Sequence, residues 1–350
     1  MRRQSIKVRR AFARKKFYAH LKSVKRKGRE YVSAYLPFSQ KNNSAYNPYQ
    51  PPFKKPIKFI APVDFSLEMD KVKVVKFLTT VRGAYAKRYD KVFVDLSQVE
   101  HIDLCTIVML LSVMDYLSQR GIFVQGNFPN NPEASNVIKD TGFLSFVRVI
   151  NERTKTTTSE PHGIIANLGR TVFNAEEATK INAKALKHIG NETLGKSLYG
   201  LVGEMGGNTI QYAYSDEKHY IYGYMPSESG DYITFIFADA GFGILNTLRK
   251  SLGNRFEELL RWQTKAQILQ GAFLQKYQSK SGDSNRGLGL PYIKQLSDQN
   301  IIQELKVLTN SVWLDFDDEQ ASQQLSHNYN GTVYIWKIYK KNEYNNIKHR

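Results

Sequence analysis

Apolar residues along the chain fall into two rhythms. "IKFIAPV", from about residue 58, and "KVFVDL" are short runs rich in β-branched and aromatic residues, and they predict strands. Between them, Val72, Val75, Phe77, Leu78, Val81 and Tyr85 recur at helical steps within "DKVKVVKFLTTVRGAYAKR" and predict a helix. "LCTIVMLLSVMDYLSQRG" predicts an apolar helix ended by Gly121. "IFVQGNF" then predicts a strand and "NPEASNVIKDTGFLSFV" another helix. Strands alternating with helices over 58–150 predict an α/β sandwich.

A second patterned region covers 175–340. It opens with helix-like spacing over 175–214, followed by strands in "HYIYGYM" and "YITFIFADA". A long stretch from Ile244 to Arg286 precedes "RGLGLPYIKQL" and strands in "IQELKVLT", "VWLDF" and "GTVYIWKIY". The fold class is therefore α/β (α+β), in two domains. The remaining segments are polar. Residues 1–57 comprise a basic segment and then, over 31–57, a Pro-, Asn- and Tyr-rich linker. Residues 151–174 read as a second linker and 341–350 as a polar tail, and no internal repeat is present.

Composition sharpens this division. With 350 residues, 41% of them hydrophobic, the chain has the apolar material for two cores. No run approaches the roughly 18 apolar residues of a membrane span. The opening "MRRQSIKVRR" lacks the apolar stretch of a secretory signal. A mitochondrial presequence is the minor alternative to a cytoplasmic protein. The single cysteine, Cys105, allows no intramolecular disulfide, in keeping with a reducing cytosol. The net charge is +18, and residues 1–30 hold thirteen Lys or Arg against Glu30 alone. Basicity is thus chiefly a property of the segment Arg2–Arg29. Phe12, Phe17, Tyr18 and Tyr31 are interleaved with it, which suits nucleic acid. An anionic membrane, an acidic protein and a plain solvated extension are the alternatives.

Candidate chemistry lies in the second region. In "GEMGGNTIQYA", Leu198, Leu201, Val202, Met205 and Thr209 share a core face, whereas Glu204, Asn208 and Gln211 share another. Gly203 and Gly207 flank the polar stripe, although each glycine costs a helix about 1 kcal/mol. Bare helix beside polar groups leaves space for a bulky ligand. An amide oxygen suits a hard cation such as Mg2+, and a carboxylate can take a proton from water. In "FADAGFGI", Asp239 ends a strand and can accept a hydrogen bond, for instance from a purine amine, while Gly241 and Gly243 permit close backbone approach. Gly287 and Gly289 precede a helix with Pro291 in its first turn, a place suited to phosphate. Gly331-Thr332 opens an alternating strand.

This ordered set resembles the GHKL ATPase superfamily, which includes gyrase B, MutL, the sensor histidine kinases and the anti-sigma-factor serine kinases. "GEMGGNTIQYA" is similar to its N box, "DAGFGI" to its G1 box and "RGLGL" to its G2 box. Over 175–340 the resemblance implies a Bergerat-fold ATP-binding domain, a mixed sheet with helices on one face, holding ATP under a mobile lid. It implies that Asn208 ligates Mg2+ and that Asp239 reads the adenine amine, with Thr332 sharing a water beside it. Gly241 and Gly243 would let backbone pass the nucleotide, and Gly287 and Gly289 would donate N–H groups to phosphate. Glu204 would be the catalytic base. Residues 245–286 would be the lid, with Lys276, Lys280 and Arg286 meeting phosphate.

"VFVDLSQVEHIDLCTIVMLLSVMDYL" resembles the middle of a STAS domain, the fold of anti-sigma-factor antagonists, over 58–150. In those proteins a loop Asp-Ser-Ser-Gly carries a phosphorylated second serine. Here Asp103-Leu104-Cys105-Thr106 stands in its place, so a serine switch is impossible, with Thr106 as the substitute acceptor. Docking of a protein partner is the favoured role, and Cys105 reads as a small buried residue. Together the resemblances imply a Mg2+- and ATP-dependent regulatory or signalling switch with slow hydrolysis, in a bacterial stress or defence setting, with homodimerisation an open alternative. The alternatives are an anti-sigma-type serine/threonine kinase acting on a separate protein, and a nucleic-acid scaffold whose nucleotide pocket is structural.

Overall fold

A computed structural model describes residues 31–33, 56–87, 89–150, 164–167, 174–212, 220–277 and 289–340. The chain divides into two compact units, Met1–Pro161 and His162–Arg350. The basic segment 1–30, most of both linkers and the tail 341–350 lie outside the described residues.

The first unit contains strands β1 (Tyr31–Ser33), β2 (Ile57–Ile60), β3 (Asp64–Phe65), β4 (Lys91–Asp95), β5 (His101–Ile102), β6 (Phe123–Gly126) and β7 (Arg148–Ile150). Its helices are α1 (Leu67–Arg82), α2 (Leu104–Gln119) and α3 (Pro132–Asp140). The main sheet has the order β2-β4-β6-β1-β7. β2, β4 and β6 are parallel, and β1 runs antiparallel to both its neighbours. α2 is apolar around its circumference, and residues Leu104 to Asp115 are all buried, as such a helix requires. α1 starts earlier than its apolar spacing suggests. Ser66 caps it by accepting a hydrogen bond from the Glu68 N–H, and Asp70 then interrupts the helix with φ −148° and ψ 74°. The kink falls where the regular spacing begins.

The second unit contains β8 (Ile164–Asn167), α4 (Ala175–Ile189), α5 (Gly195–Tyr212), β9 (Tyr220–Pro226), β10 (Tyr232–Asp239), α6 (Ile244–Leu252), α7 (Asn254–Leu259), α8 (Lys265–Phe273), α9 (Gly289–Asp298), β11 (Gln303–Asp315) and β12 (Gln323–Tyr339). The sheet order is β11-β12-β10-β9-β8. Every described pair in it is antiparallel, so the mixed sheet implied by the resemblance is not found. The reason is the place of β12. It lies between β10 and β11, which share a direction but do not pair, and α6–α9 make the crossover between them.

Register builds the core. Ile233, Phe235 and Phe237 stand opposite Ile338, Trp336 and Tyr334. Tyr222 and Tyr224 continue the same face on β9. These side chains join Ile181, Leu186, Leu198, Val202, Ile268 and Ile293 from the helices in one cluster. Phe235 and Trp336 stack with ring centroids 5.4 Å apart. Residues of the other parity, such as Ile221, Ile236 and Val333, are buried too, so the strands read as continuous apolar runs.

Two strands lie in stretches that read as linker, β1 within 31–57 and β8 within 151–174. Three or four residues among polar neighbours carry no usable periodicity, and the adjoining strand supplies their pairing. "IQELKVLT" and "VWLDF" are halves of one strand, β11, joined through a register irregularity at Asn310, whose φ is 52°. Gly331-Thr332 likewise lies inside β12 rather than at its start. Among the described residues, no helix is long and apolar enough to cross a membrane.

Candidate functional site

The site assembles where α5 meets the end of β10. Leu198, Leu201, Val202 and Met205 are fully buried and Thr209 nearly so, which fixes the rotation of α5. Glu204 is consequently exposed and Asn208 half-buried on the adjoining face. The Thr209 hydroxyl donates to the Met205 carbonyl at 3.1 Å and also lies 3.4 Å from Asp239 Oδ2. That contact ties the helix to the strand end.

Asp239 is 8% exposed and gathers three segments. Its Oδ1 accepts the Gly241 N–H at 2.7 Å and the Thr332 N–H at 3.2 Å. Thr332 therefore serves Asp239 through its backbone, while its hydroxyl lies 3.3 Å from that of Thr309. Burial pushes the Tyr334 phenol up, and the negative charge of Asp239 acts in the same direction. At Gly331, φ is 135° and an added Cβ would stand 2.0 Å from the Asp239 carbonyl oxygen, so only glycine fits.

A second contact brings α9 to the polar stripe. A Cβ on Gly289 would lie 2.7 Å from Glu204 Oε2 and 3.2 Å from Asn208 Nδ2. The positive end of the α9 dipole thus meets the Glu204 carboxylate. Asn208 Nδ2 is buried without a hydrogen-bond partner among the described residues. Among the described residues, a Cβ on Gly203 or Gly207 would meet nothing within 4 Å. Lower on α5, Gly200 admits the Tyr292 ring of α9, whose hydroxyl would be 2.6 Å from an added Cβ.

The residues that sequence reading missed hold the start of α6. Gly243, with φ 78°, precedes this helix and has no side chain to cap it. Thr309 Oγ1 accepts the Ile244 N–H at 2.9 Å, and Asn310 Oδ1 accepts those of Leu245 and Asn246 at 3.0 and 3.4 Å. Asn310 Nδ2 donates to the Phe242 carbonyl at 2.8 Å. The only trace in the sequence is a polar Thr-Asn pair inside an apolar strand.

Glu204, Asn208, Asp239, Gly241, Gly243, Gly289 and Thr332 are therefore linked through one set of contacts. Gly287, Lys280 and Arg286 lie outside the described residues. Lys276 is exposed just beyond α8. Among the described residues, no group of three or more His, Cys, Asp or Glu could hold a metal ion. A cation here would rely on a ligand's own anionic oxygens plus the Asn208 amide. The coordinating atom would be Oδ1 of that amide, since the partnerless Nδ2 is a donor and suits an anionic oxygen instead.

The first unit's candidate loop is different in character. Asp103 Oδ1 accepts the Thr106 N–H at 2.7 Å, and Oδ2 accepts the Leu67 N–H at 3.0 Å. The Thr106 hydroxyl is engaged with the Asp103 backbone, closing a capping box. Burial pushes the Asp103 carboxyl up, against the pull of these hydrogen bonds. Thr106 is wholly buried, which seals the substitute phosphoacceptor, and Cys105 is buried beside it. No protein-family model and no curated protein matches the chain.

Proposed function

We propose that the second unit binds ATP with Mg2+ in the manner of the GHKL superfamily, and that the chain is a nucleotide-dependent regulatory switch with slow hydrolysis. The observation that carries this reading is convergence. Residues from 204 to 332 meet around Asp239 and the Glu204–Asn208 stripe, with an amide nitrogen that has no partner, and glycines that meet no neighbour, among the described residues. In this reading Asp239 takes a purine amine at the polar end of the sheet's aromatic face. The Asn208 amide turns toward the phosphate-bound cation, and the first turn of α9 lies against the phosphates. Mg2+ would neutralise phosphate charge when bound. The Glu204 carboxylate orients a water and takes its proton as the water oxygen bonds to the γ-phosphorus and the bond to ADP breaks. The STAS-like first unit docks a protein partner, since its Thr106 is buried and committed to a helix cap.

Phosphate release from Mg2+-ATP by the purified chain tests this, beside Glu204→Ala and Asp239→Ala. The expected result is slow release lost in both variants, with ATP still bound by Glu204→Ala. Release that persists in Asp239→Ala would exclude this pocket. Transfer of phosphate to an added protein in place of release would make the chain a kinase.

A further inference from the structure

The insert between β10 and α9 carries a feature that the nucleotide site does not use. Trp262 is 87% exposed, whereas Trp313 and Trp336 are 3% and 0% exposed. It stands on a fixed turn between α7 and α8. The N–H groups of Trp262 and Gln263 both bond to the Leu259 carbonyl, at 3.0 and 2.9 Å. Thr264 then caps α8 through a capping box with Gln267. The indole is thus presented on ordered backbone.

Its surroundings are polar, aromatic and basic. The Tyr277 hydroxyl donates to Gln263 Oε1 at 3.2 Å, next to Trp262 in the chain. The phenol end of Tyr277 packs against Gly271, where an added Cβ would lie 2.6 Å from its hydroxyl oxygen. Burial pushes the Tyr277 phenol up, and the charge of Arg255 opposes it. Residues 244–277 contain six Lys or Arg (Arg249, Lys250, Arg255, Arg261, Lys265, Lys276) and two acids. One acid, Glu257, is already paired with Arg249 at 2.7 Å. Arg255, Arg261 and Lys276 are exposed.

We propose that Trp262, beside Arg261 on this basic insert, is a stacking platform for single-stranded nucleic acid. An indole face takes any base, and the excess cations complement the phosphate backbone. An aliphatic partner surface would make no use of the surrounding charge. This platform is independent of the ATP reading.

The test uses the full chain and a fluorescein-labelled oligo-dT of twenty nucleotides, followed by anisotropy and by tryptophan emission. Because the other two indoles are buried, quenching reports Trp262. The oligonucleotide is expected to quench the emission. Trp262→Ala should weaken binding by about tenfold or more, and Trp262→Phe should recover most of the loss. The salt dependence should be unchanged in Trp262→Ala and should fall by about one unit of log–log slope in Arg261→Ala. Binding undiminished in Trp262→Ala would overturn the proposal, as would no binding. Quenching by poly-L-glutamate but not by oligo-dT would assign the surface to an acidic protein instead.

Discussion

Each unit ends a strand in a carboxylate and carries an amide on an adjoining segment, and the two arrangements differ in what they leave open. In the first unit, Asp95 at the end of β4 meets Lys58 Nζ at 2.5 Å, the Ser97 N–H at 3.0 Å and the Asn127 amide at 2.6 Å. The Asn127 oxygen in turn accepts the Leu96 N–H at 2.7 Å. The nearby start of α2 is closed in the same way by Asp103 and Thr106. In the second unit Asp239 is similarly anchored, yet among the described residues Asn208 has a buried nitrogen with no partner, and Gly207 beside it meets no neighbour. Polar groups that satisfy one another stabilise a fold. A buried amide nitrogen without a partner among the described residues carries an uncompensated cost, which a ligand's acceptor can relieve.

The contrast can be broken in several places, with effects of decreasing size. Gly331→Ala forces a Cβ onto the Asp239 carbonyl and should cost about 3 kcal/mol or more, read as a large fall in Tm. Asn310→Ala removes the cap of α6 and leaves N–H groups unsatisfied. It should cost about 1–3 kcal/mol and speed amide exchange at Leu245 and Asn246, with or without nucleotide. Asp95→Asn should cost about 1 kcal/mol at neutral pH, because Lys58 is largely exposed and its charge is screened. Burial disfavours the Asp95 charge, but Lys58, Ser97 and Asn127 outweigh it and hold the carboxyl well below its ordinary 3.8. A depressed folded pKa means that the stabilisation is complete above that ordinary value. It is lost as the pH falls below it toward the folded value, so variant and wild type should converge in acid urea titrations. Gly207→Ala should be the smallest change in stability and the most telling. It should raise stability by about 1 kcal/mol, because nothing opposes the methyl group, while weakening Mg2+-ATP binding roughly tenfold by filling the space beside Asn208.

How much of this is legible in the sequence varies by region. The rotation of α5 is legible because Leu198, Leu201, Val202, Met205 and Thr209 follow the helical period, and that stripe fixes where Glu204 and Asn208 point. The strand-end aspartate is legible from the apolar run before it. The cap of α6 is not, because Thr309 and Asn310 reach it from 65 residues away in the chain. The single long β11 is not, because Asn310 and Ser311 look like a turn until the cap they serve is known. β1 and β8 are too short to show a period, and the antiparallel sheet follows from the insertion of β12, which no local pattern encodes.

The most direct test of the open site is a calorimetric titration of ATP, with and without Mg2+, into the wild type, Asp239→Ala and Asn208→Ala. Binding by the wild type that Mg2+ tightens, a Mg2+ effect reduced in Asn208→Ala, and no binding by Asp239→Ala are the predicted results. No heat of binding by the folded wild type, or equal binding by Asp239→Ala, would contradict the assignment of this pocket to nucleotide.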